Sequence, residues 1–240
     1  MPLSAARVLL HPPKRYVLSF GGDGQYVEVA DSPSLRLTQK FSIFMLVRVI
    51  ELPSSGVGML TKNPTPSDFD YMLYLSTSGE FRVYFKEPDG TSRYVPGCNI
   101  SDGNWWMIGG TYDGAELISW ANGQQINTRY YSDKYVRETN TVLHIAHGWA
   151  GYAPIEVAVA YIYKDKALTG DEIQHNHLNP MSPVTDGLVL WLKMEEGSGT
   201  TVHDYSGYGN DGTIYGASWT EITHDPVRTL SPVRVLSNVR

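Results

Sequence analysis

The sequence contains one cysteine, no long apolar run and few charged residues. Cys98 has no second cysteine to pair with, so the 240-residue chain has no intrachain disulfide framework. No run of about 18 apolar residues occurs, so we predict no membrane span. The N-terminal stretch MPLSAARVLLHPPKRY has an apolar patch that is too short and too polar to predict a secretory signal peptide.

Charged residues make up 18% of the chain, and the formal net charge is −6. An acidic chain does not have the positive surface of a nucleic-acid-binding protein, so we predict no nucleic-acid partner. Leu-rich helical heptads are also missing, whereas tyrosine occurs 16 times and tryptophan six times. This composition, with 42% hydrophobic residues, is typical of a chain that forms mostly strands and turns.

What the sequence does contain is a series of short alternating stretches separated by turn signals such as Pro-Asp-Gly at 88–90 and Asn-Gly at 122–123. Strand-like stretches recur about every 8–12 residues, which is the signature of a sandwich or jelly roll. The stretch 41–51 is apolar on both faces and predicts a central strand. One short helix is predicted over residues 169–176, where Thr169 and Glu172 form a capping box. The fold class is therefore all-β, with two packed antiparallel sheets and one short helix.

The two ends of the chain differ from the middle in composition. Pro12 and Pro13 interrupt regular structure, so residues 1–15 are predicted to form an N-terminal arm. Residues 220–240 contain two prolines and several arginines, and we predict a C-terminal extended arm there. Residues 16–219 between these arms are predicted to be one domain.

Four segments, taken together and in order, resemble the laminin-G-like jelly roll of the concanavalin A-like superfamily. They are LSFGGDGQYVEVADSPSL at 18–35, FSIFMLVRV at 41–49, DGNWWMIGGTYDGAELISWANGQQI at 102–126 and AYIYKDKALTGDEI at 160–173. A fifth segment, residues 187–219, resembles the strand that normally opens such a domain, although it comes late in this chain. The resemblance implies a concanavalin A-like jelly roll in a circularly permuted order.

Two interpretations of residues 187–219 are open. The segment closes the sheets of the same domain, because a strand that arrives from the C-terminal side can fill the place beside the last strand. Alternatively, it begins a second module that is cut short. A segment of this length alone buries too little surface to fold, so we favour the single permuted domain.

Several acidic and amide side chains on glycine-rich loops are candidate Ca²⁺ ligands, because Ca²⁺ prefers oxygen ligands from such loops. The candidates are Asp204, Asp211, Asn210 and Asp23, with Glu195 or Glu196 as further oxygen donors. Their spacing is not that of an EF-hand, and the same residues can instead stabilise turns through their side chains. Many members of the resembled family hold a structural Ca²⁺, which the resemblance implies here. However, residues 157–160 lack the acidic pair that relatives often carry in the last strand.

The sequence offers no catalytic constellation, so we predict that the protein is not an enzyme. A glycosidase of this fold would be expected to show a Glu-x-Asp-x-x-Glu run, and Glu195 and Glu196 are adjacent, so they point to opposite faces of a strand. There is no Gly-x-Ser-x-Gly motif. The pairs His144 with His147 and His175 with His177 come with no ligand set suited to Zn²⁺.

Aromatic residues with polar neighbours suggest carbohydrate binding, because sugars stack on rings and hydrogen-bond to adjacent polar groups. The stretch 71–94 offers Tyr71, Tyr74, Tyr84 and Tyr94 with Arg82 and Arg93, and the loop HGWAGY offers Trp149 and Tyr152. Tyrosines are also ordinary strand residues, so a purely structural role is the alternative. The predicted ligand-binding residues are Trp149, Tyr152, Tyr84, Arg82 and Tyr74.

The function predicted from these features is a non-catalytic recognition or adhesion module. It would bind a glycan or a protein surface and be displayed outside the cell or on a virion. The alternative is a structural assembly protein, such as a capsid, fibre or surface-layer component. In that case the terminal arms would make homo-oligomer or particle contacts.

Overall fold

The structure is a computed structural model that describes residues 15–66 and 68–223. Within these residues the chain forms strands, one α-helix and a short 3₁₀ turn at Pro33–Leu35. The helix α1 spans Gly170–Leu178. The strands are β1 (Arg15–Phe20), β2 (Tyr26–Val29), β3 (Phe41–Val49), β4 (Val57–Lys62), β5 (Tyr71–Leu75), β6 (Glu80–Lys86), β7 (Ser92–Asn99), β8 (Trp105–Tyr112), β9 (Glu116–Ala121), β10 (Gln124–Tyr130), β11 (Leu143–Ile145), β12 (His147–Gly148), β13 (Gly151–Tyr152), β14 (Ile155–Lys164), β15 (Leu188–Leu192), β16 (Thr201–Val202), β17 (Gly212–Tyr215) and β18 (Ser218–Ile222). The predicted all-β sandwich of two antiparallel sheets with one short helix is confirmed.

The first sheet has the strand order β10-β9-β8-β3-β14-β1-β18, and β15 pairs with β14 as well. Its centre is the long antiparallel pair β3 and β14, in which Met45 lies opposite Ala160. All residues of β3 except Arg48 are buried, so the strand is covered on both faces as its sequence predicts.

The second sheet has the order β16-β17-β2-β11-β4-β5-β6-β7. Side chains along its strands point alternately inward and outward. The inward residues of β2 and β5 pack in the core between the sheets, among them Val27, Val29, Leu73 and Leu75. The short strand β11 inserts between β2 and β4, where Leu143 pairs with Val29 on one side and Lys62 on the other. The opposite, outward face of this sheet carries the residues discussed below.

The two sheets differ in what covers their outer faces. On the first sheet, Leu168 and Ile173 around α1 belong to a second apolar cluster with Phe44, Tyr161 and Tyr163. The outer face of the second sheet carries half-buried tyrosines instead, which leaves side chains there accessible to a ligand.

The helix begins where the sequence predicts. Thr169 is the N-cap, its hydroxyl accepts a hydrogen bond from the Glu172 backbone, and the Glu172 carboxylate accepts one from the Thr169 backbone at 2.8 Å. This capping box satisfies two backbone donors that the helix itself cannot. The helix extends to Leu178, two residues beyond the predicted end. No helix in the described part of the chain is long and apolar enough to cross a membrane.

Residues 188–222 add strands to both sheets. β15 pairs with β14, β17 pairs with β2, and β18 pairs with β1. The predicted boundary between residues 219 and 220 falls inside β18, and Arg15 lies in β1 rather than in an arm. Otherwise the predicted arms lie outside the described residues, and their role in subunit contacts stays a prediction, as does the circular permutation.

Candidate functional site

A single row of outward side chains crosses all eight strands of the second sheet. The row follows from the register, in which each residue lies directly opposite the next on the neighbouring strand. Its members are Thr201, Thr213, Glu28, His144, Thr61, Met72, Tyr84 and Tyr94. Cross-strand neighbours on one face have their Cβ atoms about 5 Å apart, so these side chains form a continuous surface.

The hairpin β12–β13, residues 147–152, lies across this row above β4. Two glycines allow it to approach: a Cβ on Gly148 would lie 2.2 Å from Thr61 Oγ1, and a Cβ on Gly58 would lie 2.0 Å from the same atom. Trp149 at the tip has a φ of 62° and forms isolated bridges with Val57 and Pro66. The hairpin therefore divides the outer face into two halves.

The first half, here called the tyrosine face, consists of Tyr74, Arg82, Tyr84, Tyr94 and Trp149. Trp149, Tyr74 and Tyr84 line a hollow of about 60 Å³ together with Met72. Tyr84 packs edge-on against Tyr74 with ring centroids 5.6 Å apart and stacks on Tyr94 at 5.0 Å. Phe69 supports the hollow, since its ring lies 5.7 Å from Tyr84 and 5.8 Å from Trp149. Neighbouring rings thus hold the tyrosines and the tryptophan in fixed orientations.

Arg82 supplies the charge on the tyrosine face. Its guanidinium lies 5.8 Å from the ring centroids of both Tyr74 and Tyr94, and Nε donates to Glu80 at 2.6 Å. Hydrogen bonds with Tyr84 and Glu80 raise the pKa of Arg82, so its guanidinium stays protonated and positively charged. Burial raises the pKa of Tyr74, which keeps that hydroxyl neutral. The face therefore combines apolar rings with fixed hydrogen-bond donors.

The second half, here called the histidine face, consists of Tyr26, Glu28, His144, His147, Tyr152 and Tyr215. Tyr26 stacks on Tyr215 with centroids 4.8 Å apart, and His147 stacks on Tyr152 at 4.4 Å. His144 connects them, because its Nδ1 lies 2.7 Å from Nδ1 of His147 and its Nε2 lies 3.1 Å from a Glu28 oxygen. Burial lowers the pKa of both imidazoles, and in His144 the hydrogen bond with Glu28 partly opposes this effect.

Four of the five predicted ligand-binding residues lie together on the tyrosine face: Trp149, Tyr84, Arg82 and Tyr74. The fifth, Tyr152, lies on the histidine face beside His147 and Tyr26. Trp149 and Tyr152, which the sequence presents as one loop pair, therefore point to different halves. The left-handed turn at Trp149 separates them, and no local sequence signal indicates it.

Strand alternation places the two tyrosines of β5 on opposite faces of the sheet, and one of them is buried. Tyr71 is fully buried, and its hydroxyl donates to the Leu35 carbonyl at 2.8 Å. Tyr71 and Tyr74 are three residues apart on β5, so they must lie on opposite faces.

The histidine face was missed because its residues come from β2, β11, the hairpin and β17, which are distant in the chain.

The predicted metal ligands do not form one group. Asp204, Asn210 and Asp211 lie together, and Asp211 accepts a hydrogen bond from the Asp204 backbone at 2.7 Å. Asp211 precedes Gly212, which pairs with Val29, whereas Asp23 precedes Tyr26 at the opposite end of β2. Across β2 this separation is about 10 Å or more. Asp23 therefore cannot join the other three at one ion.

The carboxylate of Asp204 is already engaged by donors of the chain. It accepts hydrogen bonds from the backbone of Trp191 at 2.9 Å, of Ser206 at 3.0 Å and of Asn210 at 2.9 Å, and from the Ser206 hydroxyl at 2.7 Å. Among residues 15–66 and 68–223, no group of three or more His, Cys, Asp or Glu side chains is placed to hold a metal ion. These contacts are those of the turn-stabilising alternative, and the binding of Ca²⁺ stays a prediction.

Two larger hollows lie elsewhere on the surface. One has a volume of about 350 Å³ beside Arg48, Trp105 and residues 220–223. The other has a volume of about 510 Å³ beside Ser32, Ser34, Lys164 and Tyr208. Each is lined by a single aromatic ring, whereas the smaller hollow on the tyrosine face has three. The aromatic lining, and not the volume, therefore makes the hollow on the tyrosine face the better candidate for a ligand site.

Comparison with known proteins gives a family and several similar folds. Residues 20–174 match the family model described as the concanavalin A-like lectin/glucanases superfamily. No curated protein sequence matches the chain.

Three solved structures of similar fold are distant in sequence from this chain. A candidate carbohydrate binding protein from Bacteroides ovatus is 15% identical with a TM-score of 0.64, and the match covers 89% of this chain and 62% of that one. A heptameric SAP-like pentraxin from Limulus polyphemus is 12% identical with a TM-score of 0.51, covering 68% and 81%. The binding domain of Paraclostridial Mosquitocidal Protein 1 is 14% identical with a TM-score of 0.50, covering 68% and 46%. The chain thus spans less than two thirds of the Bacteroides protein, and these similarities show the fold.

Proposed function

The chain belongs to the concanavalin A-like lectin/glucanase superfamily, and we propose that it is a non-catalytic module that binds a glycan on its tyrosine face. The observation that carries this proposal is the hollow in which Trp149, Tyr74 and Tyr84 meet. Three rings from three separate elements converge there, and Arg82 lies beside Tyr74 and Tyr94. The Bacteroides structure, described as a candidate carbohydrate binding protein, supports the choice of ligand class.

The chemistry of the tyrosine face matches a sugar better than a purely apolar ligand. A pyranose has an apolar face that packs on an aromatic ring and an edge of hydroxyls that need hydrogen-bond partners. Arg82 and the phenol groups of Tyr74, Tyr84 and Tyr94 supply those partners within the ring cluster. Since neighbouring rings hold these side chains, little side-chain entropy is lost on binding.

The placement of the carboxylates supports a non-catalytic role. Glycosidases act through two carboxyl groups that are about 5–9.5 Å apart. On the outer face, Glu80 of β6 and Glu28 of β2 are separated by four inter-strand spacings, which is about 19 Å. Glu80 is also paired with Arg82. These two groups therefore cannot act on one glycosidic bond.

Glycan recognition also supports a location. Glycans that such a module can reach lie on cell surfaces and in the surrounding matrix. We therefore propose display on a cell or a virus particle, which immunolabelling of intact cells or particles with an antibody against the domain would test. Absence of label on intact material and its presence after lysis would contradict this location.

The binding proposal is tested with a glycan array and then with isothermal titration against the best array ligand. Trp149→Ala and Tyr84→Ala are expected to weaken binding at least tenfold, which corresponds to about 1.4 kcal/mol. The matched control is Tyr130→Ala, because Tyr130 is 74% exposed on β10 of the other sheet. No binding to any glycan on the array would overturn the proposal. Equal losses in Tyr130→Ala and Tyr84→Ala would overturn the assignment to the tyrosine face.

A further inference from the structure

The histidine face has features that packing alone does not require. Tyr215 is 42% exposed, Tyr26, Glu28, His147 and Tyr152 are half-buried, and His144 forms a buried floor beneath them. The rings of Tyr26, His144, His147 and Tyr152 lie within 4.4–6.2 Å of at least one other member. The result is an ordered, partly open layer of rings on the far side of the hairpin from the tyrosine face.

We propose that the histidine face is a second binding site, which takes a neutral saccharide independently of the tyrosine face. The two sites share no residue, and the hairpin at 147–152 separates them. The inference does not rest on the proposed function, since either site can bind without the other. A chain with both sites would hold two sugar units of one glycan, or two glycans, on one sheet face.

The hydrogen bonds fix which atoms face a ligand. A neutral imidazole carries one proton, so if His144 donates from Nε2 to Glu28, its Nδ1 must accept from Nδ1 of His147. In that arrangement His147 keeps Nε2 as an acceptor. The second carboxylate oxygen of Glu28 is another acceptor, and neither atom has a hydrogen-bond partner within the described residues. Two acceptors beside a ring surface match the hydroxyl donors on the edge of a sugar.

The charges of the histidine face select among ligands. Glu28 is the acidic group in contact with the histidine pair, so an anionic ligand would be repelled. A quaternary ammonium ion needs open ring faces arranged around it. Here the ring planes of Tyr26 and Tyr215 meet at 17°, and those of His147 and Tyr152 meet at 23°. The rings are therefore stacked in pairs and do not surround a cavity. A neutral saccharide fits both observations.

The site should also respond to acid. The groups that face the two imidazoles are Glu28 and Tyr26 from β2, Tyr152 from β13 and Thr61 from β4. Tyr215 of β17 lies behind Tyr26 and stacks on it. Two protonated imidazoles cannot keep their Nδ1 atoms 2.7 Å apart, because neither nitrogen would have a lone pair. Protonation of His147 at Nε2 therefore removes its acceptor, and protonation of both rings separates them. The tyrosine face, which contains no histidine, does not share this change.

The experiment follows the ring proton signals of the two faces by NMR during titration. The probes are cellohexaose, xylohexaose, mannohexaose and laminarihexaose, with tetramethylammonium as the competing ligand class. At about pH 7.5, at least one saccharide is expected to shift the His147 and Tyr215 signals. Tyr215→Ala should weaken this binding at least tenfold, whereas Tyr84→Ala should leave it unchanged. The matched control is Tyr208→Ala, because Tyr208 is 60% exposed and lies outside both faces.

Each other outcome overturns the second site or part of it. No response of the histidine face to any of the four saccharides, or a response to tetramethylammonium alone, overturns the ligand class. A response that disappears in Tyr84→Ala and persists in Tyr215→Ala overturns the independence of the site, while leaving the tyrosine face as proposed. Equal affinities at about pH 7.5 and at an acidic pH where the His147 ring signals show protonation overturn the role of the histidine pair.

Discussion

The Nδ1 atoms of His144 and His147 lie 2.7 Å apart, and the pair is partly buried between β11 and the hairpin. Such a contact requires that one nitrogen carries the proton and the other does not. The outer sheet face thus contains a hydrogen bond that depends on the protonation state of the two imidazoles. Its effect on stability can be measured without any ligand.

We expect the free energy of unfolding to fall as the pH drops below the ordinary histidine value of 6.5. Burial lowers the pKa of His144 and His147 in the folded state, so between the folded and unfolded pKa values the unfolded chain binds more protons. The contribution of the two neutral imidazoles to the free energy of unfolding is therefore fully present above pH 6.5. It is lost as the pH falls through the folded pKa values. Urea unfolding at a series of pH values measures this.

Substitution separates the histidine pair from other groups that titrate. His147→Gln should reduce the loss of stability in acid, although half-buried His177, whose pKa is also lowered, still contributes. The control is His203→Gln, because the His203 side chain is 57% exposed. An unchanged pH dependence in His147→Gln would show that the pair does not carry it.

Gly148→Ala should displace the hairpin that separates the two faces. The added Cβ would lie 2.2 Å from Thr61 Oγ1, and Gly148 has a φ of 153°, which disfavours a side chain. We expect a loss of about 1–3 kcal/mol in stability, from overpacking, and weaker glycan binding on both faces. Gly151→Ala is the matched control in the same hairpin, because its Cβ would lie 3.7 Å from Val57. Similar melting temperatures for the two variants would contradict this account.

Asp204→Ala should destabilise the domain, because the Asp204 carboxylate accepts four hydrogen bonds from the loop and from β15. Donors left without a partner cost about 1–3 kcal/mol in all when partly buried. Asp23→Ala is the control, since Asp23 is exposed in the turn between β1 and β2. Equal unfolding free energies for the two variants would show that the Asp204 contacts contribute nothing.

The calcium prediction has its own measurement. If Ca²⁺ binds at Asp204, Asn210 and Asp211, a chelator should lower the melting temperature of the wild-type protein, because a ligand that binds the folded state stabilises it. If the hydrogen bonds alone stabilise the loop, the chelator leaves the melting temperature unchanged. In that case Ca²⁺ is no part of the protein.

Deletion of residues 187–222 should unfold the domain. The deletion removes β15, β17 and β18, which pair with β14, β2 and β1, and so exposes edges of both sheets. It also removes Val189, Leu190 and Leu192 from the main core. Far-UV circular dichroism and thermal unfolding of the shortened chain test this. A cooperative transition like that of the full chain would favour the truncated second module.

The fold was predictable from local signals, because alternation and turn residues are encoded in neighbouring positions. The Asn-Gly turn at 122–123 connects β9 and β10 as expected, and Thr169 caps the helix. Alternation also assigns each residue to a face, so Tyr74 and Tyr84 could be placed on one side. These inferences need only the geometry of a strand or a helix turn.

The candidate site was predictable only in part, because alternation does not say which strands become neighbours. Glu28, His144 and Thr61 lie side by side in the sheet, although more than 80 residues of chain separate His144 from the other two. The insertion of β11 between β2 and β4 creates that neighbourhood. Similarly, the close approach of the hairpin to β4 involves Gly148 and Gly58, which lie in different strands and meet at Thr61.

The pairing of β1 with β18 has a mechanical consequence. The chain enters β1 at Arg15 and leaves β18 at Ile222, and these two residues are cross-strand partners at the end of the ladder. A pulling force applied at residues 15 and 222 therefore acts on one pair of hydrogen bonds at a time, beginning with that pair. We therefore expect β1 and β18 to separate one residue pair at a time, before the force reaches the central pair of β3 and β14.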